Sequence, residues 1–466
     1  MSDTGRKFDV VIVGAGFSGA MVAVHLARID PTLRVLIADR EESFGRGIAY
    51  GTDSVSHLLN VPAAKMSAFP DAPDDFVEWL ESRRAEFQAM GIEVLNPGDF
   101  VPRKIYGTYL RELLDGACTG DRVEIMYAQV SDIEPRDGLL HVTAENGETF
   151  LARRAVLALG NFPPGDPPIK DSTFHASPRY LSDPWSPETL RSISRNDDVL
   201  ILGSGLTALD LLVSLQTIKS RGIIHVISRR GLFPQAHQSH QAQPEWFAGR
   251  EFPANIRALL HMVRVEIRKG ASEGIDWRAI IDALRPHTQR IWQSLPLDER
   301  RRFMRHLRAI WESHRHRTAP SVLTAKEALL NRSQLFIHRG RVRSIVEVDP
   351  GLQVTYFSRA TRRDRTIRVA YAVNCTGPEC NYQKLKSPLV VNLLARGIID
   401  TDPLFLGLNA KAEGAVVDYL GNPSAEVFTL GSAAKGMLFE TTAVPELRVQ
   451  AKALAERLSD DLARGC

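Results

Sequence analysis

Two hydrophobic patterns alternate along the chain. Short, nearly continuous runs of aliphatic residues read as parallel strands buried on both faces: FDVVIVG from residue 8, LRVLIAD from 33, AVLAL from 155, VLIL from 199 and IIHVIS from 223. Two of these runs pass through a glycine turn into helical periodicity, AMVAVHLAR after the first and LTALD after the fourth. The order strand, turn, helix, strand is therefore written twice. It predicts an α/β chain with two Rossmann-like dinucleotide-binding domains.

Residues 235 to 330 break this rhythm, with few strand signals and many Arg, His and Trp residues. Ile291, Leu295, Phe303, Leu307, Ile310 and Trp311 are spaced for one apolar helical face opposite a basic one, which predicts a helical insertion at about 235–330. Strand character returns in IRVAYAVNCTGP and AEVFTLGSAAKG, and ELRVQAKALAERL closes the chain as a helix. The expected division is a discontinuous first domain, 1–195 with 371–466, and a second domain, 196–370, that carries the insertion.

At 466 residues, the chain is long enough for more than one core. A hydrophobic share of 44% with 24% charged residues is ordinary for a soluble globular protein. The formal charge of +3, from 58 basic and 55 acidic residues, gives no ground for a nucleic-acid or membrane partner. The cysteines are Cys118, Cys375, Cys380 and Cys466, with no CxxC pair, so a cytoplasmic location is expected. The apolar run from Val10 to Ala27 is not read as a signal peptide: it contains Gly14, Gly16 and Gly19 and offers no small-residue cleavage site. Oligomeric state is not legible.

GAGFSG places Gly14, Gly16 and Gly19 at G-x-G-x-x-G spacing. The first glycine permits the tight turn, the second the close approach of a pyrophosphate, and the third the packing of helix on strand. The helix N-terminus behind them favours an anion. Asp39, twenty residues after Gly19, ends the next strand, where a carboxylate accepts ribose hydroxyls. The second loop has Gly203, Gly205 and Ala208 in the G-x-G-x-x-A variant, and Arg229 and Arg230 stand where the first unit has its acid. A guanidinium there pairs with a 2′-phosphate. The first site is thus expected to take FAD or NAD, and the second NADPH, with NADH still open. HQSH at 237–240 has an i, i+3 histidine pair but no supporting ligand cluster, so no metal is expected.

Taken in order, GAGFSG with Asp39, LALGNFP, GSGLTALD with Arg229 and Arg230, NCTGP and VFTLGSA resemble the flavoproteins with two dinucleotide-binding domains. The resemblance implies FAD on the first loop, NAD(P)H on the second, and a return to the flavin at Gly431 and Ser432, where Ser432 replaces the family's usual Asp. A narrower likeness rests on FGRGIAYGT, HLLNVPAAKMSAFPD, SRRGLFP, WESHRHRTAP and ETTAVPELRVQA. These are similar to a bacterial NAD(P)/FAD-binding group that includes a flavin-dependent urate hydroxylase and aspartate N-oxygenating, nitrosuccinate-forming enzymes. That likeness implies that Arg46, Tyr50, Asn60 and Ser67 lie near FAD.

The expected activity is NAD(P)H-consuming monooxygenation of a small anionic substrate, with O2 as co-substrate and a flavin C4a-hydroperoxide as oxygen donor. Urate is the leaning, and an aspartate or amine N-oxygenase the alternative. His237, His240, Arg315 and His316 are the candidate catalytic residues, because an imidazole with pKa near neutrality suits deprotonation before attack. A dithiol reductase is disfavoured by the absence of CxxC. Reduction of a quinone or similar acceptor stays open, as does a protein that only binds flavin.

Overall fold

The computed structural model describes residues 6–40, 44–93, 96–120, 122–241, 243, 245–247 and 249–464. Glu42 and Ser43, at the start of the glycine-bearing loop after Asp39, lie outside the described residues, as does Cys466.

The first sheet begins with β1 (Arg6–Val13), β2 (Val35–Asp39), β3 (Val123–Tyr127), β4 (Val130–Arg136), β5 (Leu139–Ala144) and β6 (Thr149–Leu157). Val10, Val11 and Ile12 are wholly buried, as a continuous aliphatic run between two covered faces requires. Strand β1 lies between β2 and β6, both parallel to it, so chain order reverses at its C-terminal end. Such a reversal opens the crevice where open α/β sheets bind ligands. Helices Phe17–Ile29, Arg103–Ala117 and Val444–Ala463 share one core with this sheet.

The second sheet comprises β7 (Tyr180–Leu181), β8 (Val199–Leu202), β9 (Ile224–Ser228), β10 (Leu335–Val348), β11 (Gly351–Ser358), β12 (Arg363–Val369) and β13 (Tyr371–Asn374), ordered β12-β11-β10-β9-β8-β13-β7. Strands β7 to β10 and β13 run parallel, and β10 to β12 form an antiparallel meander. The expected boundary at 371 is therefore misplaced. β13 is hydrogen-bonded to β8, and β7, also assigned by sequence to the first domain, sits on its other side. A short buried strand fits either sheet by pattern alone; pairing decides. The first sheet is completed by β14 (Ala415–Val417) and β15 (Pro423–Thr429), with β15 parallel to β6.

Helices fill Ile256–Ser272 through Pro320–Asn331, between β9 and β10, where the insertion was expected. Their apolar residues Leu259, Trp292, Leu295 and Phe303 form a separate core, closed by Leu406 and Phe439 from the C-terminal part of the chain. The insertion is thereby folded onto the first unit. Among the described residues, no helix is long and apolar enough to cross a membrane.

Candidate functional site

Gly14 follows β1 with φ +101°, and a methyl group there would stand 2.3 Å from the Ala158 carbonyl oxygen. A methyl on Gly19 would lie 1.9 Å from the Gly14 oxygen. Both positions exclude a side chain for reasons internal to the protein. Gly16 differs: the nearest atom to its missing Cβ is Gly47 Cα, at an ordinary 3.7 Å. Its bareness leaves room above the loop. Gly16 also caps the helix Phe17–Ile29 without any side-chain acceptor, and the first turn contains no acid. The first N–H groups of that helix are consequently available to an anion.

Other chain segments converge on this loop. Asp39 Oδ2 accepts from the Ala15 N–H at 2.7 Å, and the Gly45 N–H donates to the Ala15 carbonyl at 2.7 Å. Gly431, with φ +69°, stands beside Ser18: a methyl there would come within 2.9 Å of its hydroxyl. Ser432 follows, half-buried, in a single helical turn. Arg46 is half-buried, with its stem against Gly107. Tyr50 rests edge-on against Tyr106 at 4.7 Å, and burial pushes its phenol up to about 12, so it stays protonated. Ser67 does not offer its hydroxyl to a ligand: Oγ donates to the Ala72 carbonyl at 2.6 Å and accepts from the Phe69 N–H at 3.1 Å.

The second loop repeats the geometry on the other sheet. Gly203 has φ +107°, with a methyl excluded 2.3 Å from the Cys375 oxygen, whereas Gly205 has nothing within 4 Å of its missing Cβ. Gly205 caps the helix Leu206–Thr217, again without a side-chain acceptor, and Ala208 is wholly buried against the core. Ser204 Oγ donates to the Leu232 carbonyl at 2.6 Å, and Ser228 Oγ accepts from the Gly231 N–H at 2.9 Å. These bonds hold the 228–232 turn against the loop. Arg229 is exposed, but Arg230 donates to the His306 carbonyl at 2.6 Å. Arg339 also reaches this turn, its Cγ 2.7 Å from where a Gly231 Cβ would be. The pairing of Arg339 with Ser228 in β10 and β9 brings it there. The basic HRGR run was visible in sequence, but its register was not.

Three of the four catalytic candidates, His237, His240 and Arg315, share the field of Asp282, and His316 lies in that of Glu440 and Arg315. His237 Nε2 donates to the Asn60 carbonyl at 2.9 Å, and its ring faces Phe100 at 5.2 Å. Burial pushes it down to about 4, so it is neutral at physiological pH. His240 Nε2 is 3.2 Å from Asp282 Oδ2. Burial raises the Asp282 carboxyl, but the Arg317 fork, at 2.5 and 3.0 Å, more than offsets this and leaves it below its usual value. Arg315 pairs with Glu440 at 2.8 Å and lies 3.5 Å from Glu446, which Arg285 grips at 2.6 and 2.9 Å. Burial also lowers His316, next to Glu440 and Arg315. Carboxylates thus pair with Arg285, Arg315 and Arg317 of the basic insertion. Trp311 Nε1 donates to Glu440, whose backbone is held at φ +65°. Sequence reading assigned no role to Glu440, although it opens the ETTAVPELRVQA motif, and missed Asp282, which lies in no recognisable spacing.

FAD fits the first loop on three features: the bare Gly16, the uncapped helix start and the braced Asp39. The same bareness and uncapped start at Gly205 suit a second dinucleotide.

Comparison with known proteins bears on the same regions. Residues 11–162 match the FAD-NAD(P)-binding family. An uncharacterised protein of Mycobacterium tuberculosis is 24% identical over 465 residues, covering 85% of each chain. Two solved structures superpose along nearly the whole chain. L-lysine 6-monooxygenase from Pseudomonas syringae gives a TM-score of 0.68 at 17% identity, covering 98% of this chain and 100% of that one. Ornithine hydroxylase from Pseudomonas aeruginosa gives 0.67 at 15% identity, with the same coverage. The chain therefore has the two-Rossmann α/β fold of these flavin monooxygenases, and its first 150 residues or so carry the sequence pattern of the FAD-NAD(P)-binding family.

Proposed function

We propose that this protein is an FAD-dependent, NAD(P)H-consuming monooxygenase whose substrate is a small polar molecule, with N-oxygenation of an amine or amino acid as the leading reaction. The observation that carries the reading is the pair of bare, uncapped glycine cradles on two sheets of one chain, which gives an electron donor and an acceptor separate places. Bound FAD would supply two-electron acceptance from NAD(P)H and the activation of O2. The chain's own part is to bind, orient and exclude water. The Phe17–Ile29 N-terminus would hold the pyrophosphate of bound FAD and Asp39 its ribose, and Arg229 would pair with the 2′-phosphate of NADPH. The insertion packs on Leu406 and Phe439, and Trp292 Nε1 donates to the Gly436 carbonyl at 2.8 Å, five residues past Gly431; cover of that kind would help exclude water.

Reduction of a disulfide is poorly supported. Cys375 is 3% exposed and its thiol is pushed far up by burial, which leaves it without thiolate character. Amine oxygenation is put ahead of urate hydroxylation because the superposed structures are a lysine 6-monooxygenase and an ornithine hydroxylase, each covering 98% of this chain.

The test is a panel assay on FAD-loaded protein with NADPH or NADH, offering amino acids, diamines, urate and other purines. Substrate-stimulated O2 uptake with a product one oxygen atom heavier supports the reading. Fast quinone turnover with no stimulation by any member of the panel would sink it.

A further inference from the structure

Two residues one turn apart on the helix that starts at the second glycine loop are both held by the first unit. Asp210 is met by Arg103 at 2.9 Å, with the two side chains only 10% and 12% exposed. Ser214, on the same helical face, is met by His57 Nε2 at 2.7 Å, while His57 Nδ1 is 2.8 Å from Thr52 Oγ1. Burial keeps His57 below its usual pKa, so one ring nitrogen donates and the other accepts. The Trp185 ring lies 5.6 Å from the Arg103 guanidinium and 6.0 Å from the His57 ring, covering both.

On the first-unit side the attachment is equally firm. Arg103 Nε donates to the Leu58 carbonyl at 3.0 Å, and the Arg103 N–H donates to the His57 carbonyl at 2.8 Å. Arg103 opens the helix Arg103–Ala117, whose Gly107 lies directly beneath Arg46 and the Tyr50 carbonyl, the segment that packs on the first glycine loop. A chain of hydrogen bonds and packing contacts therefore runs from one cradle to the other. A buried ion pair is a poor way to gain stability compared with apolar packing, but it tolerates only a narrow range of geometry.

We propose that Arg103, Asp210, His57 and Ser214 form an alignment clamp that sets the second dinucleotide against the first. They are positioning residues and touch neither ligand. The inference rests on reading both cradles as dinucleotide sites. The step it serves is hydride transfer: the nicotinamide C4–H bond breaks, the hydride with its two electrons forms an N–H bond on the flavin, and NADPH becomes NADP+. Reactant alignment within about 1 Å governs such a step, and a misplacement of that size costs on the order of 100-fold.

The experiment uses FAD-loaded full-length Asp210→Asn and Ser214→Ala, with Arg103→Lys as the conservative variant. Anaerobic bleaching of the flavin by NADPH is followed by stopped flow, and amide hydrogen exchange is measured over 52–58 and 206–217. The expected result is a limiting reduction rate at least about ten-fold lower in Asp210→Asn, with the half-saturating NADPH concentration changed less than about three-fold. Arg103→Lys retains part of the rate, and exchange accelerates in both segments. Full FAD content and unchanged reoxidation of dithionite-reduced protein accompany these changes. An unchanged reduction rate with unchanged exchange overturns the clamp, as does a loss of rate that only tracks loss of FAD. Should Asp210→Asn fail to fold, Ser214→Ala keeps the ion pair and gives the same readouts. If NADPH and NADH leave wild-type flavin oxidised, the dinucleotide reading fails, while hydrogen exchange still judges the clamp.

Discussion

Arg230 donates to the carbonyl oxygen of His306 at 2.6 Å, fastening the turn after β9 to the C-terminal end of the insertion helix Leu297–His306. A guanidinium at a helix C-terminus is favoured by the dipole as well as by the bond. Two adjacent arginines with the same sequence signal thus have different employment: one is a strut, and the other, Arg229, faces solvent.

Arg229→Ala is accordingly expected to lower the NADPH-to-NADH efficiency ratio by about ten-fold or more, the scale of a charge-assisted hydrogen bond to phosphate. Arg230→Ala should leave that ratio within about three-fold and lower thermal stability instead. Steady-state kinetics with both nucleotides, beside a melting curve, separates the two. Equal ratio losses in both variants would contradict this division.

The glycines of the first loop differ in the same way. Gly19→Ala puts a methyl 1.9 Å from a backbone oxygen and should unfold or strongly destabilise the protein. In Gly16→Ala the new methyl meets only Gly47 Cα at 3.7 Å, so the apoprotein should fold and melt within a few degrees of wild type. It should nevertheless purify with little FAD. Absorbance near 450 nm (about the position of oxidised flavin) together with the melting temperature reports both effects.

Arg315→Ala should destabilise the protein by about 3–5 kcal/mol, because Glu440, whose side chain is 4% exposed, loses its ion-pair partner. Adding Glu440→Gln should recover part of that loss. Urea denaturation of the two single variants and the double variant measures the coupling. A fully additive double variant would free Arg315 for a role at the substrate.

Acid should weaken the fold as histidines buried in the neutral form are forced to take up a charge. His25 and His237 are lowered by burial from 6.5 to about 4, so the folded state resists protonation that the unfolded chain accepts. Their contribution is complete above pH 6.5 and is lost as pH falls toward 4, by up to about 3 kcal/mol for each group. His25 is 5% exposed, and among the described residues its Nε2 has no hydrogen-bond partner. His25→Leu should therefore flatten the fall in melting temperature between pH 7 and 5. An identical slope in the variant would remove His25 from the account.

Local sequence determined both glycine cradles as a spacing: the positive φ at Gly14 and Gly203 and the contact of Gly19 with the Gly14 oxygen arise within the loops, while the Ala158 and Cys375 carbonyls that also exclude a methyl come from distant strands. The strand before each loop and the helix after it follow from periodicity, a short-range property. The helical character of the insertion was legible for the same reason. Three features were settled only by tertiary structure. The pairing of β13 with β8 moved a strand between domains, since a buried aliphatic run carries no mark of its neighbour. The partners of Arg230, Arg315 and His240 were settled only by the fold, since the residues they meet lie 42 to 131 positions away. The link from Asp210 and Ser214 to Arg103 and His57 spans more than 100 positions and exists only where two separately folded units touch. Backbone demands are local and survive in a single sequence, whereas a charge is interpretable only with the charge opposite it.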